Sequence, residues 1–371
     1  MPTRTLISRP RLIDSLFDQL DKHLLVIVAP AGYGKTSLLA DLAQNKELQF
    51  CWLSLDALDQ EPQRFLRYLI ASIAEKFPEF GRDSLAALES MTSFEQDEER
   101  LLVTLTNEIT ARIKDHFALI LDDYHLVANT PAIGQMISRF LQLTGENVHL
   151  ILASRIFPDL ADAPLMIARN QLGGLSYEEL SFRPEEIQQL FQQNQGRDIG
   201  RENAETLVRE TEGWIAAIHL TNGRTGTLPQ LHPLESTREL FDFFSKEVIN
   251  RQPEHVRRFM LMTSLFEAFD ISTCERVLDP LLGGEKFDWP NLFEIVRNGH
   301  FFSISLENEG RWIRYHNLFQ HFLRSQQQYE NPVLAWHIQK SLAVSMRNSR
   351  PGKRHCRFIP NWATMRIWFG F

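Results

Sequence analysis

The first 175 residues alternate between two hydrophobic patterns. Short runs that are apolar at nearly every position indicate strands buried on both faces, which is typical of a parallel sheet. Longer stretches repeat apolar residues every three or four positions, as an amphipathic helix does. Strands alternating with helices predict an α/β domain with helices on both faces of a parallel sheet. The predicted strands are Leu24–Ala29, Phe50–Leu55, Phe117–Leu121 and Val148–Ala153, and the predicted helices are Arg11–Leu20, Gln63–Phe77 and Glu98–Lys114.

Beyond about residue 175 the strand pattern fades and the chain is predicted to be mainly helical. Phe301–Ser305 and Trp312–His316 alternate in polarity around Asn308-Glu309-Gly310, which indicates a β-hairpin. The short predicted helix Leu318–Gln326 follows, and this combination suits a winged-helix module. The other predicted helices are Phe182–Gln193, Arg201–Leu220, Leu234–Asn250 and Glu254–Thr263. We expect an α/β domain at 1–175, a helical domain at 176–250 and a winged-helix domain at 251–330.

Composition and charge narrow the class of protein. The chain has 371 residues, with 39 Lys and Arg against 47 Asp and Glu, and its net charge of −8 argues against a general nucleic-acid coat. The longest apolar runs, such as Leu24–Ala31, fall far short of the roughly 20 residues that a membrane span needs. Three scattered cysteines without a CxxC pair exclude a disulfide scaffold and a zinc finger. We therefore expect a cytoplasmic protein that has no membrane contact.

The strongest candidate site follows the first predicted strand. A glycine-bearing turn leads there into a helix that begins near Lys35, which is the arrangement of a phosphate-binding loop. Backbone amides at a helix N-terminus attract anions, Lys35 would reach the β- and γ-phosphates, and Thr36 would offer its hydroxyl to Mg²⁺. Ala29 departs from the usual pattern, which begins with glycine, and the alternative is a strand–turn–helix with a surface lysine. The candidate nucleotide-binding residues are Ala29, Pro30, Ala31, Gly32, Tyr33, Gly34, Lys35, Thr36 and Ser37.

Two further strand ends carry candidate catalytic residues. Asp122 and Asp123 follow the apolar run Leu119–Leu121, and ligands of open α/β sheets bind at the carboxyl ends of the strands. Asp122 is predicted to hold Mg²⁺ together with Thr36, and Asp123 to orient or deprotonate the attacking water. Arg155 follows the next strand and is a candidate sensor of the γ-phosphate through charge-assisted hydrogen bonds. Its alternative is a solvated surface arginine.

Seven segments of the chain follow one another in the order of a known family: Ala29–Leu39, Cys51–Ile73, Leu119–Val127, His149–Arg155, Leu180–Phe191, Thr211–Leu220 and Arg314–Arg324. Together they resemble the MalT-type regulators, which are large ATP-dependent LuxR-family activators among the signal transduction ATPases with numerous domains (STAND). The resemblance covers about residues 3–330. It implies that His316 contacts the β-phosphate of ADP, that the N-terminal segment with Arg9 lies near the adenine, and that Trp214 lies close to the nucleotide. Core packing is the alternative for His316 and Trp214.

The resemblance implies a nucleotide-controlled switch more than a metabolic enzyme. In such proteins ADP holds a closed monomer, whereas inducer and ATP favour an open form that self-associates and activates transcription. The expected ligands are ATP or ADP with Mg²⁺, a small-molecule inducer in full-length relatives, and weak ATP hydrolysis would serve the switch. The alternative function is a stand-alone P-loop ATPase without a DNA role, which would sustain a turnover of about 1 s⁻¹ or faster.

The last 40 residues differ from the rest of the chain. From Pro332 to Phe371 there is no Asp or Glu, there are seven Lys or Arg, and helical periodicity is weak. MalT-type regulators continue past the winged helix into a helical-repeat sensor and a helix-turn-helix that binds DNA, and we expect both to be missing here. We therefore expect a truncated regulator in which 331–371 is an atypical basic tail produced by a frameshift. The alternative is a functional basic and aromatic tail for nucleic acid or a membrane interface.

Overall fold

The computed structural model describes residues 7–222, 238–299, 301–306 and 311–348. Its first part contains five strands: Leu24–Val28 (β1), Gln49–Ser54 (β2), Phe117–Asp122 (β3), Val148–Ser154 (β4) and Leu172–Leu175 (β5). They form one sheet in the order β2-β3-β4-β1-β5, and every neighbouring pair is parallel. The predicted α/β class with a parallel sheet is confirmed.

Helices connect these strands, as parallel strands require. Their residues are Pro10–Phe17 (α1), Lys35–Leu42 (α2), Pro62–Lys76 (α3), Arg82–Glu89 (α4), Phe94–Arg112 (α5), Pro131–Leu143 (α6) and Ala163–Ala168 (α7). Alternate residues of each central strand belong to two different clusters of buried side chains. In β1, Leu25 and Ile27 belong to one cluster, and Leu24 and Val26 belong to the other. This two-residue period explains why the strands are apolar at every position.

The second part of the chain is helical. Five helices come first: Tyr177–Leu180 (α8), Pro184–Gln195 (α9), Arg201–Thr211 (α10), Ile215–Asn222 (α11) and Arg238–Glu247 (α12). They are followed by Glu254–Thr263 (α13), Ile271–Leu278 (α14), Trp289–Asn298 (α15), an antiparallel hairpin of Ser303–Ser305 (β6) and Ile313–Tyr315 (β7), and the helices Asn317–Glu330 (α16) and Pro332–Asn348 (α17). The predicted hairpin and the helix after it are confirmed.

Two predictions about helices are wrong. Arg201–Leu220 is not one helix, because Glu212 and Gly213 adopt positive φ angles of 48° and 73° and separate α10 from α11. Residues 332–348 form a regular helix, although the sequence suggested little periodicity there. Buried Ala335 and Ile338 are three positions apart, so a narrow apolar stripe is enough to hold α17 against the core.

Other elements lie outside the predicted ones. Helices α4, α6, α14 and α15 and the short strand β5 belong to this group, and two of the four residues of β5 are glycines with low strand propensity. The predicted turn at 308–310 and the tail from residue 349 onward lie outside the described residues. Within the described residues, no helix combines the length and the apolar character needed to cross a membrane.

Candidate functional site

The carboxyl ends of β1, β3 and β4 meet at one edge of the sheet because these strands are parallel. The loop that contains the glycines follows β1, Asp122 ends β3, and Arg155 follows β4. Strand β4 lies between β1 and β3, which places Arg155 between the loop and the acids. The charges of Arg155, Asp123 and Asp122 therefore influence the pKa of Lys35. The structure thus brings together four predicted site residues from three segments that are far apart in the sequence.

The loop ends in a helix N-terminus. Gly34 has a φ of 83° and lies directly before α2, so the first backbone amides of α2 have no carbonyl partner within that helix. Gly32 has a φ of 80°, and a Cβ at this position would lie 2.5 Å from the Cβ of Ala216. Only glycine fits there without displacing the neighbouring helix.

Lys35 is folded back onto the loop. Its Nζ donates hydrogen bonds to the carbonyl oxygens of Ala29 (2.6 Å) and Pro30 (3.1 Å), and the residue is only 7% exposed. The pKa of Lys35 is lowered to about 8: burial is the main cause, the charge of Arg155 adds to it, and the two acids partly oppose it. A lysine held in this way can exchange its bonds to the loop carbonyls for bonds to an anion beside the loop with little loss of hydrogen bonding.

Ala29 stands where the usual loop pattern has glycine. Its backbone N–H donates to Ser154 O at 3.3 Å, and the residue is fully buried. Its φ lies outside the left-handed region that favours glycine. The departure from the pattern therefore causes no backbone strain.

The two acids differ in their surroundings. Asp122 is 2% exposed, is hydrogen-bonded to the Thr36 side chain and accepts the backbone N–H of Asp123 at 3.0 Å. Burial raises the pKa of Asp122, and the charge of Asp123 adds to this, whereas Thr36 and Lys35 oppose it. Asp123 has a φ of 57° and a half-exposed side chain. Asp122 is thus a fixed acceptor, and Asp123 faces the solvent at the open edge.

The donor set at this edge fits Mg²⁺. The Thr36 hydroxyl and the Asp122 carboxylate are hard oxygen ligands, and they already contact each other. Mg²⁺ is commonly held by one or two such protein oxygens together with substrate phosphates and water. No group of three or more His, Cys, Asp or Glu residues suited to a metal occurs among the described residues.

Trp214 contacts the back of the loop. Its Nε1–H donates to Ala31 O at 3.0 Å, and the backbone N–H of Ala216 donates to Gly32 O at 3.2 Å. The indole is fully buried and packs against Phe244 and other rings. Trp214 therefore packs in the core, which was the alternative given for it, and it also contacts the loop. Its closeness to a bound nucleotide stays a prediction.

His316 is directed away from the loop. Its Nε2 lies 2.9 Å from Thr211 O, and its Nδ1 accepts the backbone N–H of Leu318 at 3.3 Å. Burial lowers the pKa of His316, which favours the neutral ring. Its ring meets that of Trp214 edge-on, and Trp214 in turn contacts the loop.

The side chain of Arg9 is held by contacts within the protein. Its guanidinium donates to both carboxylate oxygens of Glu186 at 3.0 Å and to the carbonyl oxygens of Leu180 and Ser181. It also lies over the ring of Phe182. A cavity of about 360 Å³ opens beside the loop, and its lining includes Arg9, Gly34, Ser37, Phe182, Asn194 and Ile215. Arg9 therefore borders this cavity while it anchors the N-terminal segment to α9.

Comparison with known proteins gives matches along most of the chain. The family model described as MalT winged helix domain matches residues 245–335, and the model described as Nephrocystin 3, N-terminal matches residues 3–155. The HTH-type transcriptional regulator MalT of Klebsiella pneumoniae is 31% identical over 349 residues, or 91% of this chain. MalT of Yersinia enterocolitica is 30% identical over 332 residues, or 87% of this chain. The chain is homologous to the MalT-type regulators over most of its length.

The match covers only part of these relatives. The chain spans 37% of the Klebsiella protein and 35% of the Yersinia protein. Among solved structures, a Walker-type ATPase of Pyrococcus abyssi is similar with a TM-score of 0.53 and 16% identity, over 86% of this chain and 96% of that one. This similarity supports the fold. The predicted α/β class followed by a winged helix is confirmed.

Sequence reasoning missed two residues of the site. Nδ1 of His125 lies 3.8 Å from Asp123 Oδ1, is buried, and has no hydrogen-bond partner within the described part of the chain. Burial lowers the pKa of His125 to about 4, and the charge of Arg155 contributes, so the ring is neutral at pH 7.

The other missed residue is Glu212, whose carboxylate bonds to Arg314 and so joins the turn before Trp214 to β7. A polar residue two positions after the acids was a visible signal for His125, whereas nothing local indicated Glu212.

Proposed function

We propose that this chain binds ATP or ADP with Mg²⁺ at the edge formed by β1, β3 and β4 and acts as the nucleotide-controlled switch core of a MalT-like regulator. The observation that carries the proposal is the convergence of Lys35, Thr36 and Asp122 at a helix N-terminus beside a cavity. A buried cation, free amides and a hydroxyl–carboxylate pair are the groups that a polyphosphate with Mg²⁺ requires.

Each residue has a role that follows from its position. The amides at the start of α2 would bind phosphate oxygens, and Lys35 would exchange its two carbonyl partners for a phosphate. Thr36 and Asp122 would hold Mg²⁺, which neutralises charge that develops on the phosphates. Solvent-facing Asp123 would orient the attacking water, and Arg155 would bind the γ-phosphate.

A switch is favoured over a stand-alone ATPase by the contacts behind the loop. Trp214 and Ala216 bond to loop carbonyls, and the turn that carries them is bonded in turn to the winged-helix hairpin. An ATPase that only turns over substrate has no need of such a link. The proposal extends to transcriptional regulation, because the named relatives are HTH-type transcriptional regulators. The family resemblance adds an inducer and DNA contact through other segments of a longer regulator, and self-association in the ATP state.

Binding of fluorescently labelled ADP to the purified full chain tests the site. Lys35→Ala removes the buried cation and should weaken binding at least 100-fold, because a charge-assisted contact to phosphate is lost. Lys46→Ala is the matched control, since Lys46 is exposed and lies in the connection between α2 and β2. Asp123→Asn should retain binding and lose hydrolysis, and asparagine tolerates the positive φ of this position. Normal binding by Lys35→Ala would show that the site assignment is wrong.

A further inference from the structure

The turn between α10 and α11 is held in an unusual backbone conformation. Glu212 and Gly213 have consecutive positive φ angles of 48° and 73°. A Cβ on Gly213 would lie 2.7 Å from the backbone nitrogen of Phe182, so glycine is required there. A non-glycine residue such as Glu212 adopts a positive φ at a cost, and surrounding contacts must maintain it.

Those contacts come from the winged-helix hairpin. Arg314 on β7 donates two parallel hydrogen bonds to the Glu212 carboxylate, at 3.0 Å and 2.8 Å. The backbone N–H of Asn317 donates to the same carboxylate at 3.0 Å, and His316 Nε2 lies 2.9 Å from Thr211 O. The Glu212 side chain is 19% exposed and that of Arg314 is 30% exposed. The pair is thus partly shielded from water, where a bidentate contact is strongest.

The other side of the same turn contacts the phosphate-binding loop. Trp214, two residues after Glu212, donates its Nε1–H to Ala31 O, and Ala216 donates its backbone N–H to Gly32 O. In a trans peptide the carbonyl and the following N–H point in opposite directions. Holding Ala31 O therefore fixes the direction of the Gly32 N–H, and holding Gly32 O fixes that of the Tyr33 N–H. These amides belong to the loop that would surround a phosphate.

We propose that Glu212 and Arg314 are positioning residues that set the amides of the phosphate-binding loop through Trp214. The ion pair between the winged helix and the turn holds the turn in shape, the turn places the indole, and the indole orients the loop. Opening the pair loosens the loop, and a bound nucleoside diphosphate leaves faster. The effect on nucleotide rests on the proposed function, but the effect on the loop does not.

The test compares the full chain with Glu212→Gln, Arg314→Gln and the double variant. Hydrogen–deuterium exchange of the amides of Ala31–Lys35 is measured without nucleotide, and dissociation of fluorescently labelled ADP is measured separately. We expect each single variant to speed both exchange in the loop and ADP release about tenfold. The double variant should be no faster than either single one, because both changes break the same contact.

Arg258 and Glu285 provide the matched control. They form a bidentate pair at 2.8 Å and 3.1 Å within the winged-helix part and do not contact the turn. Arg258→Gln should leave loop exchange and ADP release unchanged. Trp214→Phe is a further variant, because it keeps an aromatic ring in the core, removes the donor to Ala31 O, and should reproduce the fast loop exchange.

Three results would overturn the proposal. The first is unchanged loop exchange in Glu212→Gln or Trp214→Phe chains that remain folded. The second is additivity of the effects of Glu212→Gln and Arg314→Gln, and the third is an equal effect of Arg258→Gln. If the wild-type chain does not bind ADP while its loop exchange responds to Glu212→Gln, the proposed function fails and the coupling of the turn to the loop stands. If Glu212→Gln does not fold, Arg314→Gln breaks the same pair and is read together with Trp214→Phe, and unchanged loop exchange in both would overturn the proposal.

Discussion

Lys35 combines burial with a nearly balanced set of charges. Burial and Arg155 lower the pKa of its ammonium group to about 8, while Asp123 and Asp122 raise it. A phosphate beside the ammonium group would favour the charged form and raise this pKa again. Binding of a nucleotide is therefore coupled to proton uptake in the pH range just above neutrality.

We predict that ADP affinity falls about tenfold between pH 7 and pH 9, because a group with a pKa near 8 is mostly neutral at pH 9. Calorimetric titrations in buffers of different ionisation enthalpy at pH 8 should detect proton uptake on binding. Lys35→Arg keeps a permanent charge, so its affinity should vary less over this range. Equal pH profiles for the two proteins would contradict the assignment of the proton to Lys35.

At the scale of elements, the strands that carry the site are also tied together at their opposite ends. His116 directly precedes β3, and His149 lies within β4. His116 Nδ1 and His149 Nε2 are 2.9 Å apart, so a single proton lies between two rings. His149 is 6% exposed, and burial is the main cause that lowers its pKa. The hydrogen bond with the Lys22 backbone and the charge of Asp21 oppose this, whereas the charges of His116 and His23 add to it. Exposed Glu146 also lines the cavity at this end.

This pair predicts a loss of stability in mild acid. His149 has a folded-state pKa below its unfolded value near 6.5, so the unfolded chain binds more protons as the pH falls below 6.5. The free energy of unfolding should decrease by up to about 1.4 kcal/mol per pH unit between pH 6.5 and 5.5, measured by urea denaturation. His149→Gln should flatten this dependence. The exposed His337 is the control, and an unchanged slope in His149→Gln would refute the prediction.

The elements that could be predicted from the sequence are those whose pattern is local. The runs around Val26, Ile120 and Leu152 are apolar on both faces, and this marks central strands before any tertiary contact is known. The loop was visible for the same reason, because its glycines and Lys35 are contiguous. Strand β5 was not visible, since it is short, half glycine and held by pairing with β1.

The part of the site that depends on distant contacts could not be predicted. Glu212 has a positive φ, and its carboxylate is bonded to Arg314 and Asn317, which lie about a hundred positions later in the chain. The break between α10 and α11 lies at this turn, within the helix that periodicity predicted as continuous. The direction of His316, towards Thr211 O, likewise follows from this turn. Local patterns identify the groups that meet phosphate, but they do not identify what holds those groups in place.

At the scale of the whole molecule, the nucleotide edge and the winged-helix part are mechanically connected. The link runs from β7 through Glu212 and Trp214 to Ala31, and all its contacts lie within the described residues. In the proposed switch, a change at bound phosphates would be passed along these contacts to the winged helix. A stand-alone ATPase would instead be optimised for release of its product.

The nucleotide-controlled switch core and the stand-alone ATPase differ in their rate of ATP turnover and in their assembly. A switch that retains ADP should hydrolyse ATP far more slowly than about 1 s⁻¹, the lower end of common enzyme rates. Asp123→Asn keeps the loop, Lys35 and the Thr36–Asp122 pair, so it should bind ATP, fail to cleave it and remain in the ATP-bound state. Sedimentation velocity of this variant should show larger species with ATP than with ADP, whereas Lys35→Ala should show one species throughout. Sustained turnover near 1 s⁻¹ by the wild-type chain, with one sedimentation coefficient in ATP and ADP, would favour the stand-alone ATPase, because the link from the loop to the winged helix would then have no assembly to control.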